Sequence, residues 1–145
     1  MMGTFRVPVR VCPLSGEEPC RDLEMLVDTG AIQSIVPGEV LRSLGVPVDR
    51  RQKFHLADGT EIHRDVGYAE LHCGGRRAIT LAVFGEPADA IVLGALTLEE
   101  LGFEVDPRLR ILKPTDAWLL AVSGGLEHDE LPDPLGIVHS LVRDV

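Results

Sequence analysis

At 145 residues, 45% of them hydrophobic, the chain is long enough for one domain with a real core and too short for two comfortable ones. Fourteen basic against 23 acidic side chains give a net charge of −9, and no basic cluster exceeds Arg50-Arg51 or Arg76-Arg77, which excludes a nucleic-acid partner from the expectations. The first residues lack a basic-then-apolar signal peptide and no apolar stretch approaches the ~18–20 residues of a membrane span, so a soluble, cytoplasmic protein with no membrane partner is expected.

Phe5 to Val11 alternates apolar with polar or proline positions, the period of a strand with one buried face. Pro13 to Pro19 reads as a loop, and Leu23 to Val27 as the strand that delivers Asp28. A short helix is expected from Pro37, a good first helical residue, to a stop at Gly45. Gln52 to Leu56 and Thr60 to Arg64 flank Asp58-Gly59, read as a two-residue hairpin turn. Val66 to Cys73 and Arg76 to Phe84 flank Gly74-Gly75, a second signal of the same kind. Another short helix covers roughly Thr97 to Leu101 and stops at Gly102. Strands at short intervals with tight turns predict an all-β, barrel-like domain. Cys12, Cys20 and Cys73 read as free thiols in a reducing compartment, with a Cys12–Cys20 bridge as the alternative.

The chain also matches itself. Leu41 to Asp49 and Leu98 to Asp106 share the pattern Leu-x-x-Leu-Gly-apolar-x-Val-Asp, and each follows an apolar strand ending in Gly-Ala, at Gly30-Ala31 and Gly94-Ala95. Two related halves are expected, with Val92 of the second in the place of Asp28, so that the repeat supplies no second catalytic acid.

Leu26-Val27-Asp28-Thr29-Gly30-Ala31 sets one acid between an apolar run and a turn, where partial desolvation can tune its pKa for acid–base work. Two apolar residues, Asp-Thr-Gly-Ala, two further positions, Ser34 and two more apolar residues make a pattern that resembles the active-site motif of the retropepsin-like aspartic proteases. The resemblance spans about residues 5–113. It implies a retropepsin-like closed barrel with one or two short helices and pseudo-twofold halves, in a domain of residues 1–113 followed by a 114–145 extension. It further implies a homodimer without cofactor or metal, acting on a peptide or protein substrate, with Asp28 catalytic. Thr29 hydroxyls would cross-link two active-site loops, Gly30 would let the substrate backbone approach, and Ala31 completes the loop. Leu56, Ala57, Asp58, Gly59 and Thr60 would form the flap that closes over substrate. Ile91-Val92-Leu93-Gly94 resembles the second signature of the family, so Leu93, Gly94 and Ala95 would support the catalytic loop from behind.

This chemistry needs two carboxylates about one water. One, ionised, takes the water proton; the other, protonated, hydrogen-bonds the carbonyl oxygen. Two acids within ~3 Å share a proton and titrate as a pair. One motif per chain therefore implies a twofold axis through two copies of Asp28. Ala31 in place of a hydroxyl residue removes a donor that would stabilise the ionised pair, so a mildly acidic to near-neutral optimum is expected. Retroviral members carry an Asp–Arg pair at the positions of Ile32 and Ala95. Both partners are absent here together, which avoids an unpaired buried charge and points to a non-viral, prokaryotic-type member.

Other features receive plainer readings. With a two-residue turn, cross-strand partners would put His63 opposite Phe54 and His55 opposite Ile62, so the imidazoles would project from opposite faces and would not share a metal. Ala117 to Val122, with Trp118, reads as core or dimer-interface strand. Residues 114–145 carry six acids and one base, and Leu135, Val138, Leu141, Val142 and Val145 recur at helical spacing. That segment is either a helix docked on the body or frayed, or one that guards the interface or cleft or is removed by self-cleavage. Two functions from different classes stand at this stage: a homodimeric aspartic endopeptidase, and a retropepsin-fold dimer used for binding or assembly.

Overall fold

Strict alternation makes the first strand. In Phe5–Cys12 (β1), Val9 and Val11 are buried while Arg6 and Arg10 face solvent. The remaining elements follow as β2 Arg21–Val27, β3 Ser34–Pro37, α1 Gly38–Ser43, β4 Arg50–His55, β5 Glu61–Cys73, β6 Arg76–Gly85, β7 Val92–Leu93, α2 Ala95–Leu101, β8 Phe103–Asp106 and β9 Ile111–Pro114. These come from a computed structural model, which describes residues 4–15, 18–117 and 119. The expected Trp118 strand and the helix from Leu135 lie outside the described residues. The chain divides into units of residues 1–115 and 116–145, and the architecture below is that of the first.

The main sheet runs β1-β2-β7-β3-β6-β5-β4, and β1 also pairs with β5. Six strands thus close a ring, and β4 hangs from β5 outside it; this is the all-β, ring-like architecture expected of the chain. β8 and β9 form a separate antiparallel pair. Met25, Leu41, Leu71 and Leu93 are fully buried at the centre, each contributing about 1.5–3 kcal/mol of burial.

Three local expectations are corrected. Cys12 and Cys20 are bridged, leaving Cys73 as the buried free thiol among the described residues. The β1–β2 register explains the bridge: Val11 faces Arg21, so the next opposed pair is Cys12 and Cys20, with Cα atoms 4.4 Å apart. The cysteines accordingly no longer argue for a reducing compartment.

The β4–β5 turn has three residues, not two. Gly59 N donates to Leu56 O at 2.9 Å, Leu56 N donates to Thr60 O at 2.8 Å, and Gly59 takes a positive φ of 87° that its missing Cβ permits. The register shifts by one, so His55 faces Glu61 and His63 faces Lys53. Both imidazoles therefore lie on the same exposed face, contrary to the expectation of opposite faces. Among the described residues no three His, Cys, Asp or Glu side chains are grouped to hold a metal ion.

Thirdly, the two strands expected between Thr60 and Cys73 are one, because β5 serves β4 with its first half and β6 with its second.

The internal repeat is real but offset from its sequence alignment. A hairpin, a short strand and a helix occur twice, as β1-β2-β3-α1 and β5-β6-β7-α2. The short strands are exchanged: β3 lies parallel to β6, and β7 parallel to β2. The counterpart of the Asp28 loop is consequently the 86–91 loop between β6 and β7. Val92 does not stand in the place of Asp28; it lies beside it, paired with Leu26. The helix ends of the two halves correspond, but the strand equivalent to β7 is β3, not β2.

Candidate active site

Asp28 leaves the C-terminal end of β2 half-buried, and its backbone is held from both sides. Its N–H donates to Leu93 O at 3.2 Å, and its carbonyl accepts from Ala31 N at 3.1 Å. Its side-chain Oδ1 accepts from Gly30 N at 2.9 Å, which fixes the carboxylate over its own turn. Thr29 and Gly30 are exposed and Ala31 half-buried, so the loop presents an acid to solvent from a rigid base.

The base is β7 and the start of α2. Ala95 N donates to Ala31 O at 2.8 Å and Leu96 N to Ile32 O at 3.1 Å. Gly94 sits against the loop so closely that a Cβ there would lie 2.5 Å from Gln33 O and 2.7 Å from Ile32 O. Leu93, Gly94 and Ala95 thus lie directly behind the Asp28 loop. Behind them runs a buried polar chain: Gly94 N donates to Ser34 Oγ (3.0 Å), Ser34 Oγ lies 2.6 Å from Thr97 Oγ1, and Thr97 Oγ1 lies 3.1 Å from Thr80 Oγ1. Ser34 belongs to the Asp28 motif, whereas Thr97 and Thr80 carry no sequence signal that links them to it.

A cleft of about 470 Å3 opens between this loop and the β4–β5 hairpin. Gly30, Ala31, Ile32 and Gln33 line one side; Phe54, His55, Leu56, Ala57 and Ile62 line the other. Of the expected flap residues, Leu56 and Ala57 face this cleft, whereas Asp58, Gly59 and Thr60 form the exposed tip. Hydrogen bonding from the Thr60 side chain, with its backbone N–H, holds the Asp58 carboxyl below the usual range.

Sequence reasoning missed the pair at the cleft's inner wall. Arg64 Nε donates to Asp89 Oδ2 at 2.8 Å and Arg64 Nη2 to Asp89 Oδ1 at 3.0 Å, a bidentate fork. Asp89 also accepts from Glu86 N at 2.8 Å. Arg64 hydrogen bonding depresses the Asp89 carboxyl against a smaller opposing push from burial. Correct alignment of the repeat would have drawn attention to Asp89, which lies in the loop equivalent to that of Asp28.

A family model described as "gag-polyprotein putative aspartyl protease" matches residues 20–100, from the start of β2 into α2. The chain belongs to the retropepsin-like aspartic protease family. That span contains the Asp28 loop, the β4–β5 hairpin and the Leu93-Gly94-Ala95 segment. The solution structure of Simian Foamy Virus (mac) protease is similar over 66% of this chain and 92% of that one, at 20% identity and a TM-score of 0.48. No curated protein matches the chain. Ile32 is 69% exposed, and Ala95 is joined to the Asp28 loop through its backbone N–H.

Proposed function

We propose that the protein is an aspartic endopeptidase that works as a homodimer, with Asp28 from each of two chains forming one site. The observation that carries this reading is the Asp28 carboxylate, fixed by Gly30 N on a backbone whose N–H is held by Leu93 O, in a loop whose next residues Gly30, Ala31 and Ile32 line an apolar cleft covered by a hairpin. Asp89, the one acid in that cleft lining, is taken up by Arg64 and held ionised, so it is unsuited to act as the protonated partner of Asp28. The second carboxyl group must then come from a second chain, across a twofold axis.

In the assembled site the ionised carboxylate of the pair removes a proton from water, and the resulting hydroxide attacks the peptide carbonyl carbon. The protonated partner donates to the carbonyl oxygen, and a proton then passes to the leaving amine as the C–N bond breaks. Gly30 N keeps the carboxylate from rotating away, and Leu93 O anchors the Asp28 backbone N–H. Ala31 offers no side-chain donor to the pair, which supports a mildly acidic to near-neutral optimum. The substrate is a peptide or unfolded protein, and no cofactor takes part.

Cleavage of an unstructured protein across pH 4–7.5 tests this reading, with Asp28→Asn and a statine-type inhibitor as controls. Cleavage by the wild type, lost with Asp28→Asn and with the inhibitor, is expected. Hydrolysis that survives Asp28→Asn contradicts it, and a dimer that binds peptide without cleaving it makes the fold a binding module instead.

A further inference from the structure

Arg64 and Asp89 line two cavities at once: the cleft beneath the hairpin, and a neighbouring one of about 430 Å3 that Arg42, Arg51, Asp65 and Glu86 also border. The fork between them is therefore a shared wall. Its two charges are little exposed, 13% for the Arg64 side chain and 23% for that of Asp89, and Arg64 Nη1 also lies 3.4 Å from the exposed carboxylate of Glu86. Arg64 also donates through Nη1 to His63 O at 2.9 Å, and Asp89 accepts from Glu86 N, so each half of the fork is anchored in its own element. The fork thus ties β5, the strand that carries the flap, to the 86–91 loop. On the cleft side the surrounding surface is apolar, made by Ile35, Phe54, Ile62, Val83 and Ala90.

We propose that the Arg64–Asp89 fork selects substrate: it holds the base of the flap against the 86–91 loop and closes the apolar end of the cleft with a wall of no net charge, so that the pocket takes an uncharged, apolar peptide side chain and rejects an acidic one. This rests on the endopeptidase reading above. Removing the Asp89 charge alone leaves the guanidinium with only the exposed Glu86 carboxylate, 3.4 Å from Nη1 and bordering the neighbouring cavity, so on the cleft side its charge is no longer offset and attracts a carboxylate. Removing both charges makes the wall neutral again. A purely structural pair would lower activity on every peptide alike, whereas a selecting wall changes the ratio between peptides.

The test uses the full chain and matched peptides that differ only in Leu or Glu, scanned through the positions on both sides of the cleaved bond. In Asp89→Asn the Leu-over-Glu ratio of kcat/KM is expected to fall by about tenfold or more at one position. In Arg64→Gln/Asp89→Asn it is expected to return to near the wild-type ratio. An unchanged ratio in the single variant, or an equal fall in the double, overturns the selecting role. Hydrogen exchange reads the clamp without activity. Amides from Phe54 to Ile62 are expected to exchange faster in Asp89→Asn and in Arg64→Lys, which keeps the charge but loses the fork, while β1 and β2 stay unchanged. Unaltered exchange in both overturns the clamp. A wild type without cleavage that depends on Asp28 refutes the endopeptidase reading instead, and the exchange result then decides the clamp alone.

Discussion

The Ser34 hydroxyl lies 2.6 Å from that of Thr97, and the two are buried and 63 residues apart in the chain. One stands at the start of β3 and the other in α2, so this contact joins the two halves of the repeat behind the Asp28 loop. Ser34 also accepts from Gly94 N at 3.0 Å. Ser34→Ala is expected to destabilise the fold by about 1–3 kcal/mol, because it leaves a buried N–H and a buried hydroxyl short of a partner. Denaturant melts of Ser34→Ala, Thr97→Val and the double variant check this. The double is expected to cost less than the sum of the singles, since the two share one network.

Gly94 is the closest approach between β7 and the Asp28 loop. Gly94→Ala forces a methyl group into the backbone of Ile32 and Gln33, neither of which can move as a flexible side chain would. A loss of about 1–3 kcal/mol or more is expected by denaturant unfolding, with cleavage falling further than stability because the loop that carries Asp28 is displaced. Wild-type stability in Gly94→Ala would mean that this approach is not tight.

The Asp28 motif, the hairpins and both helix ends could be read from the chain because each depends on local chemistry. A turn needs glycine, a helix stops at one, and an apolar strand precedes the acid. What escaped the reading depends on register or on partners distant in sequence. The Asp58-Gly59 turn takes Ala57 as a third residue, and that single residue moved His55 and His63 onto one face. The exchange of β3 and β7 between halves has no local signature, so the 86–91 loop and Asp89 were passed over. Arg64, 25 residues from Asp89, looked like an ordinary strand arginine until the fold joined them.

Acid should weaken the fold through that same pair. Asp89 has its carboxyl depressed below the reference value of 3.8 in the folded chain, so the unfolded chain takes up its proton first as pH falls. The contribution is complete above the unfolded value and is lost as pH drops through about 4 towards the folded one. At neutral pH it amounts to about 1–2 kcal/mol, given that both groups keep some contact with water. Urea melts of wild type and Asp89→Asn between pH 3 and pH 7 are expected to differ near neutrality and to converge at the acidic end. A constant difference across that range would contradict the assignment.

The Cys12–Cys20 bridge closes a short loop at the end of the β1–β2 hairpin, with a sequence separation of 8. Cys12→Ser/Cys20→Ser is expected to lose about 2–3 kcal/mol against the oxidised wild type, mainly by freeing the unfolded chain. Thiol counting on the native wild type should find Cys73 alone, and reacting slowly, because burial pushes its thiol above the ordinary value. Two further reactive thiols in the unreduced chain would show that the bridge is absent.

The central claim is that two copies of Asp28 make one site, and active-site titration with a tight statine-type inhibitor tests it most directly. Calorimetric or kinetic titration of the purified chain is expected to reach its endpoint at one inhibitor per two chains, with no binding to Asp28→Asn. An endpoint of one inhibitor per chain, or unchanged binding to Asp28→Asn, would contradict the account.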